Sequence, residues 1–210
     1  MLKKYAILER VNQEKIMGIV RVATLDAAAK TMAALYEGGV TVAELAFTMP
    51  YAHTILEALT KEYGDRMLIG AGTVLDEATA RLAILSGAQF LVTPAVNADV
   101  VRVANRYGIP CFTGVNTPTE LVSALECGVD VVKLFPASGF KPSVIKDLKA
   151  PFPNAEIMAV GGVSLENIKA WIDAGAFACG IGGELVAGAK TGDYAAVTAA
   201  ARAFREIVSK

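Results

Sequence analysis

Short apolar runs alternate along this chain with segments whose apolar residues recur every three or four positions. Runs apolar on both faces are the mark of buried parallel strands, and the three-to-four spacing is that of helices packed over them. Residues 2–14 read as a short amphipathic helix. Strands are then expected at 16–20, 40–47, 67–71, 89–93, 109–113, 129–135, 156–160 and 177–181. The helices between and after them are expected from Thr24 or Asp26 to Glu37, then at 51–63, 76–86, 97–107, from Thr117 to Gly128, at 142–149, from Ser164 to Ala174, and at 194–208. Glycine follows most of these helices, at Gly38, Gly64, Gly87, Gly108, Gly128 and Gly175, where a left-handed residue leads into the next strand. Thr117-Pro118-Thr119-Glu120 is a capping box with proline at the first helical position.

Eight strand–helix units of similar length follow one another without a linker, a low-complexity segment or a shift in composition. The expectation is one α/β domain over residues 1–210, a (β/α)8 barrel with a short N-terminal helix, against the alternative of an open doubly wound sheet. In such a barrel chemistry belongs at the C-terminal ends of the strands. Those ends are Arg21, Glu44 to Thr48, Gly70 to Thr73, Thr93-Pro94, Thr113 to Asn116, Lys133 with Phe135, Val160 to Gly162, and Gly180 to Gly183.

Composition narrows the partners. Of 210 residues 54% are hydrophobic and 20% charged, enough to bury a large core, and the formal charge is −1. There is no basic stripe to hold nucleic acid, and no apolar stretch approaches the ~18 residues that a membrane span needs. The start, with charges at Lys3, Lys4, Glu9 and Arg10, lacks the pattern of a secretory signal. Cys111, Cys127 and Cys179 are an odd, scattered set, read as reduced core thiols of a cytoplasmic protein. With His53 the only histidine, neither a histidine metal site nor a catalytic triad is expected, and His53 itself reads as helix surface.

Two residues break the apolar strands. Lys133 stands inside Val129–Phe135 and Glu44 inside Val40–Phe47. A buried ammonium is costly; desolvation lowers its pKa, and a neutral amine attacks carbonyl carbon. The plainer readings are a lysine that snorkels to water and a buried Glu44–Lys133 ion pair. Imine chemistry on a ketone uses both groups: the amine adds and the acid handles protons. After the seventh and eighth strands, Gly161-Gly162 and Gly182-Gly183 offer backbone amides, with a short helix expected from Glu184, an arrangement suited to phosphate.

Gly39-Val-Thr-Val-Ala-Glu44, Gly70-Ala-Gly-Thr73, Gly128 through Lys133-Leu-Phe-Pro-Ala137, Pro151-Phe-Pro and Gly161-Gly-Val occur in that order. Over essentially the whole chain these motifs resemble the class I 2-keto-3-deoxy-6-phosphogluconate / 4-hydroxy-2-oxoglutarate aldolases. The resemblance implies a cytoplasmic (β/α)8 barrel, homotrimeric, free of metal and cofactor. Such a protein cleaves a 4-hydroxy-2-oxo acid to pyruvate and an aldehyde. It implies Lys133 as Schiff-base lysine, Glu44 as general acid/base acting through a water, and Thr73 as a ligand of the pyruvate carboxylate. Phe135 and Pro94 would wall the pyruvyl pocket, and Gly161, Gly162, Gly182 and Gly183 would line the phosphate end. Where many members carry an arginine four residues after the glutamate, this chain has Thr48, and Arg21 is the expected replacement. Val160 and Gly183 replace a threonine and a serine, Glu184 adds a negative charge, and Lys141 replaces a glycine. A reduced but not absent preference for phosphorylated substrates is therefore expected, with Lys141 a possible substitute cation. The competing readings are a phosphosugar isomerase or epimerase on the same barrel, which has no need of Lys133 inside its strand, and a barrel that has lost catalysis and serves as an oligomeric scaffold.

Overall fold

Eight parallel strands pair in chain order and close on themselves in the computed structural model of the protein, which describes residues 2–209. They are β1 (Ile16–Val20), β2 (Val42–Ala46), β3 (Leu68–Gly72), β4 (Leu91–Val92), β5 (Cys111–Val115), β6 (Val131–Leu134), β7 (Glu156–Val160) and β8 (Ala178–Ile181). Pairing of Ile16 with Cys179 and of Gly18 with Ile181 shuts the sheet, so the open doubly wound alternative is wrong. The helices are α1 (Lys3–Glu14), α2 (Leu25–Glu37), α3 (Ala52–Tyr63), α4 (Glu77–Leu85), α5 (Ala98–Arg106), α6 (Pro118–Glu126), α7 (Val144–Lys149), α8 (Ile168–Asp173) and α9 (Tyr194–Val208).

Strand alternation sorts the apolar residues into two cores. Ala43, Leu45, Ile69, Ala71, Leu91, Val132, Leu134, Ile157 and Ala159 point outward, beneath the helices. Met17, Val42, Leu68, Phe90, Val92, Phe112, Val131, Met158, Val160 and Ala178 point inward and fill the lumen. Ile7, Leu8 and Val11 of α1 join this inner core, so the extra helix plugs the N-terminal end of the barrel. Arg10 holds it there through the carbonyls of Asp65 and Arg66, and Glu14 pairs with Arg205 of α9. A plugged floor leaves the lumen open only at the C-terminal ends of the strands.

The local signals act as read where a side chain caps a helix. Thr24, Asp76, Asn97, Thr117 and Asp193 each accept a backbone N–H of the first turn, and both halves of the Thr117–Glu120 box form. Other bounds move. The fifth strand runs from Cys111 to Val115, two residues later than expected, because Pro110 has no N–H for the ladder. The fourth is only Leu91–Val92; before it, the Gln89 side chain takes the Ile69 N–H at 2.8 Å, replacing ladder backbone with an amide. Ser164 does not start a helix. Asn167 accepts from the Ser164 N–H and donates to the Gly162 carbonyl, forming a turn that delays α8 to Ile168.

Glycines inside the strands make room rather than turns. A Cβ on Gly70 would lie 2.3 Å from the Phe90 ring, and one on Gly114 would lie 2.2 Å from the Pro94 backbone carbonyl. Backbone cannot step aside as a side-chain tip does. Gly114→Ala is expected to destabilise the protein by about 1–3 kcal/mol, read from the midpoint of urea unfolding; an unchanged midpoint would mean that β4 and β5 do not meet as described.

Candidate active site

β6 carries Lys133 into the lumen between Gly114 of β5 and Met158 of β7. The residue is 5% exposed, and its ammonium lies 4.7 Å from the centre of the Phe135 ring, two residues on and on the same face. Across the barrel β2 carries Glu44, 3% exposed, between Ile19 and Gly70. Its carboxyl packs on Gly72, where a Cβ would lie 2.6 Å from Cδ and Oε1. The Gly70-Ala71-Gly72 stretch thus leaves space for the Phe90 ring at one glycine and for the catalytic-end carboxyl at the other.

Among the described residues Glu44 and Lys133 form no ion pair, which removes the plain structural reading of the two buried charges. They still act on each other. Burial pushes the Lys133 pKa below the usual lysine value; Glu44 partly opposes this, and Arg21 adds to it. Burial pushes the Glu44 pKa up, with Lys133 and then Arg21 opposing. An amine made easier to deprotonate faces a carboxyl made easier to protonate, which suits a nucleophile and a proton shuttle.

Arg21 follows β1 at the inward-facing parity of Ile19, and the Val22 N–H donates to Met49 Sδ at 3.3 Å, tying the loops after β1 and β2 together. Arg21 is exposed, and its side chain forms no hydrogen bond or ion pair among the described residues; it acts on Glu44 and Lys133 through its charge. Thr73, half-buried just after β3, has φ 57°, a left-handed conformation that a β-branched residue adopts only against a steric cost. Its hydroxyl makes no hydrogen bond among the described residues. Pro94 is fixed by Thr93, whose hydroxyl donates to the Ala95 carbonyl and accepts the Gly114 N–H. Thr48 is exposed on the turn after β2, and its side chain makes no hydrogen bond among the described residues.

Beside the buried pair, over β1, β7 and β8, opens a cavity of 580 Å³. Arg21, Phe135, Val160, Gly161, Gly162, Gly182 and Gly183 line it; the four glycines are those expected at the distal end, whereas Arg21 and Phe135 were expected on the pyruvate side. Lys133 and Glu44 do not line it; Phe135 is the wall between the two halves. Gly161 and Gly162 have φ 90° and 81°, conformations that favour glycine.

Several features escaped sequence reasoning. No α-helix begins at Glu184: a turn over 183–186 leads to a 3-10 turn, Ala187–Lys190. The Glu184 carboxylate accepts the Leu165 N–H at 3.0 Å, bridging the loops after β7 and β8. Lys141 is exposed and does not line the cavity, whereas Lys190 does. Asn116 donates to the Phe135 carbonyl at 3.1 Å and anchors the end of β6. Nothing in the sequence pattern marked Lys190, because it lies beyond a turn; Asn116 stood among the strand ends, but its bond to the Phe135 backbone was not legible.

His53 is half-buried in the first turn of α3, not fully on the surface. The described residues contain no cluster of three or more histidine, cysteine or acidic residues, and no helix among them is long and apolar enough to cross a membrane. All three cysteines are free. Burial pushes Cys111 up to about 11 and Cys179 up to about 12, which keeps both as thiols.

A family model described as KDPG and KHG aldolase matches residues 7–200. The 2-dehydro-3-deoxy-6-phosphogalactonate aldolase of Escherichia coli (strain K12) is 38% identical over 196 residues, covering 92% of this chain and 96% of that enzyme. Among solved structures, a native KDPGal structure aligns with a TM-score of 0.85 at 35% identity, covering 93% of this chain and 96% of that one. The KDPG aldolase from Legionella pneumophila, with pyruvate captured at low pH as a covalent carbinolamine intermediate, aligns with a TM-score of 0.83 at 26% identity, covering 90% and 93%.

The electrostatics are open to direct measurement. Glu44 raises the Lys133 pKa and Arg21 lowers it, so Glu44→Gln is expected to shift the pH dependence of reductive methylation at Lys133 downward, and Arg21→Met to shift it upward. Shifts of the opposite sign, followed by mass spectrometry of the Lys133 peptide, would contradict the arrangement.

Proposed function

This chain belongs to the KDPG and KHG aldolase family, and from that premise we infer that Lys133 is the amine on which its reaction turns. The protein is a class I aldolase that cleaves a 4-hydroxy-2-oxo acid to pyruvate and an aldehyde through a Schiff base. The observation that carries the assignment to Lys133 is its burial in the lumen, with its pKa lowered and Glu44 opposite.

In this reading the neutral Lys133 amine adds to the C2 ketone, giving a carbinolamine that loses water to become the imine. Removal of the C4 hydroxyl proton breaks the C3–C4 bond. The bonding pair moves into the imine as an enamine, and the aldehyde leaves. Protonation at C3 and addition of water then release pyruvate and restore the amine. Glu44 takes and returns these protons through a water, and its raised pKa keeps both of its forms accessible. Arg21 grips the substrate carboxylate, its guanidinium otherwise unengaged, and the strained Thr73 donates its free hydroxyl to the same group. Phe135 and Pro94 keep the imine dry. The cavity over Gly161, Gly162, Gly182 and Gly183 takes the aldehyde half, and backbone amides meet its terminal phosphate. The reading covers phosphorylated six-carbon acids of either C4 configuration, which yield glyceraldehyde 3-phosphate, and 4-hydroxy-2-oxoglutarate, which yields glyoxylate. It treats residues 1–210 as one aldolase domain of a cytoplasmic homotrimer. Leu25 at the start of α2 and Tyr51 and Leu75 on the loops after β2 and β3, at 45%, 76% and 59% exposure, are apolar surface that such a trimer would cover.

Pyruvate and borohydride are expected to label Lys133, mapped by mass spectrometry. Labelling elsewhere, or none, would sink the assignment and favour an isomerase or a non-catalytic barrel. Glu44→Gln is expected to lower kcat by about 10²–10⁴-fold with trapping partly retained; near-normal turnover would take Glu44 out of the mechanism. Arg21→Met is expected chiefly to raise KM, for phosphorylated and unphosphorylated acids alike, and an unchanged KM would release Arg21 from the carboxylate.

A further inference from the structure

Three charged side chains border the cavity: Arg21, Glu184 and Lys190. Two are accounted for. Arg21 lies toward the buried pair, whose titration it influences, at the end where the substrate carboxylate belongs. Glu184 is tied to the Leu165 N–H, so its charge is partly satisfied by the loop after β7. Lys190 remains. It ends the 3-10 turn after β8, is exposed, and forms no hydrogen bond or ion pair among the described residues. Val186 and Ala189 beside it are buried and apolar, and line the same wall. A long side chain on such a wall can lay its aliphatic stem on the apolar surface and keep its ammonium in water at the cavity rim.

Val160 and Gly183 bring no hydroxyl to the cavity, and Ser164 is a hydroxyl residue that lines it. Backbone amides and a neutral hydroxyl give a phosphate dianion hydrogen bonds but no full countercharge. An ammonium supplies both, with rotatable donors that need no fixed bidentate geometry. We propose that Lys190 is the cation that binds the terminal phosphate of the substrate, and so sets the preference for phosphorylated over unphosphorylated acids. The proposal rests on the aldolase reading of the site. It moves the compensating cation from Lys141, which does not line the cavity, to the turn that follows β8.

The test compares kcat/KM for a 2-keto-3-deoxy-6-phospho acid with that for the same acid lacking the phosphate. Lys190→Met is expected to lower this ratio by about 10- to 100-fold, the span of one hydrogen bond to a charged group, and Lys190→Arg to keep most of it. Inorganic phosphate, as a competitive inhibitor of cleavage of the unphosphorylated acid, is expected to bind more weakly to Lys190→Met in parallel. A ratio in Lys190→Met within twofold of the parent overturns the proposal. So do a parent ratio near one, an equal fall on both substrates, or a drop produced by Lys141→Met instead. Failure of the parent protein to trap pyruvate at Lys133 would be a different result, refuting the aldolase reading itself.

Discussion

A lysine and a glutamate share one dry lumen, and the rest of the barrel is arranged to hold them there. Each is costly to bury, and with no direct ion pair between them their attraction offsets only part of that cost. Such a placement does not serve stability. It is supported by what surrounds it: a floor sealed by α1, a lower lumen packed with Met17, Val42, Leu68, Phe90, Phe112 and Val131, and glycines where the two polar residues need space. The outer core, between sheet and helices, is continuous and apolar, and provides the burial from which the inner expense is met.

The two halves of the mouth differ in kind. Lys133 and Glu44 are embedded in strands, where neighbours on both sides fix their position. Phe135, anchored through its carbonyl by Asn116, separates them from the open cavity. The cavity is instead lined by loops, glycine backbone and side chains from turns. In the proposed reading, chemistry common to every 4-hydroxy-2-oxo acid is thus held by the rigid part, and recognition of the aldehyde half by the part that tolerates substitution. This chain's departures at Val160, Gly183 and Glu184 fall on the second half.

Much of this was legible in the sequence, for physical reasons. The eight apolar runs and their glycine stops follow from local backbone preference and strand alternation, and closure follows from their even repetition. Lys133 and Glu44 stood out because charge inside an apolar strand violates burial. Pairing partners were less legible. The fourth strand shrank because a Gln89 side chain took over ladder bonding, and α8 started late because Asn167 made a turn instead of Ser164 making a cap. Those outcomes depend on competition between a side-chain amide and backbone groups nearby in space, and a linear pattern does not rank such competitors. Arg21 was legible as the residue that ends the first strand, and Thr48 sits two residues past β2 on an exposed turn.

Glu184 shows how far a charge on its own misleads. Read along the chain, a carboxylate next to a glycine pair at an anion site signals repulsion of phosphate. In the fold its oxygen is a hydrogen-bond acceptor for Leu165, nineteen positions earlier, and it joins the two loops whose glycines line the cavity. A carboxylate so engaged acts on the substrate less through its charge than through the spacing it gives those loops. The same logic separates Lys141 from Lys190. Both are exposed lysines on loops at the barrel mouth, and only the side chain whose wall is the cavity's own wall has an electrostatic hold on what enters it.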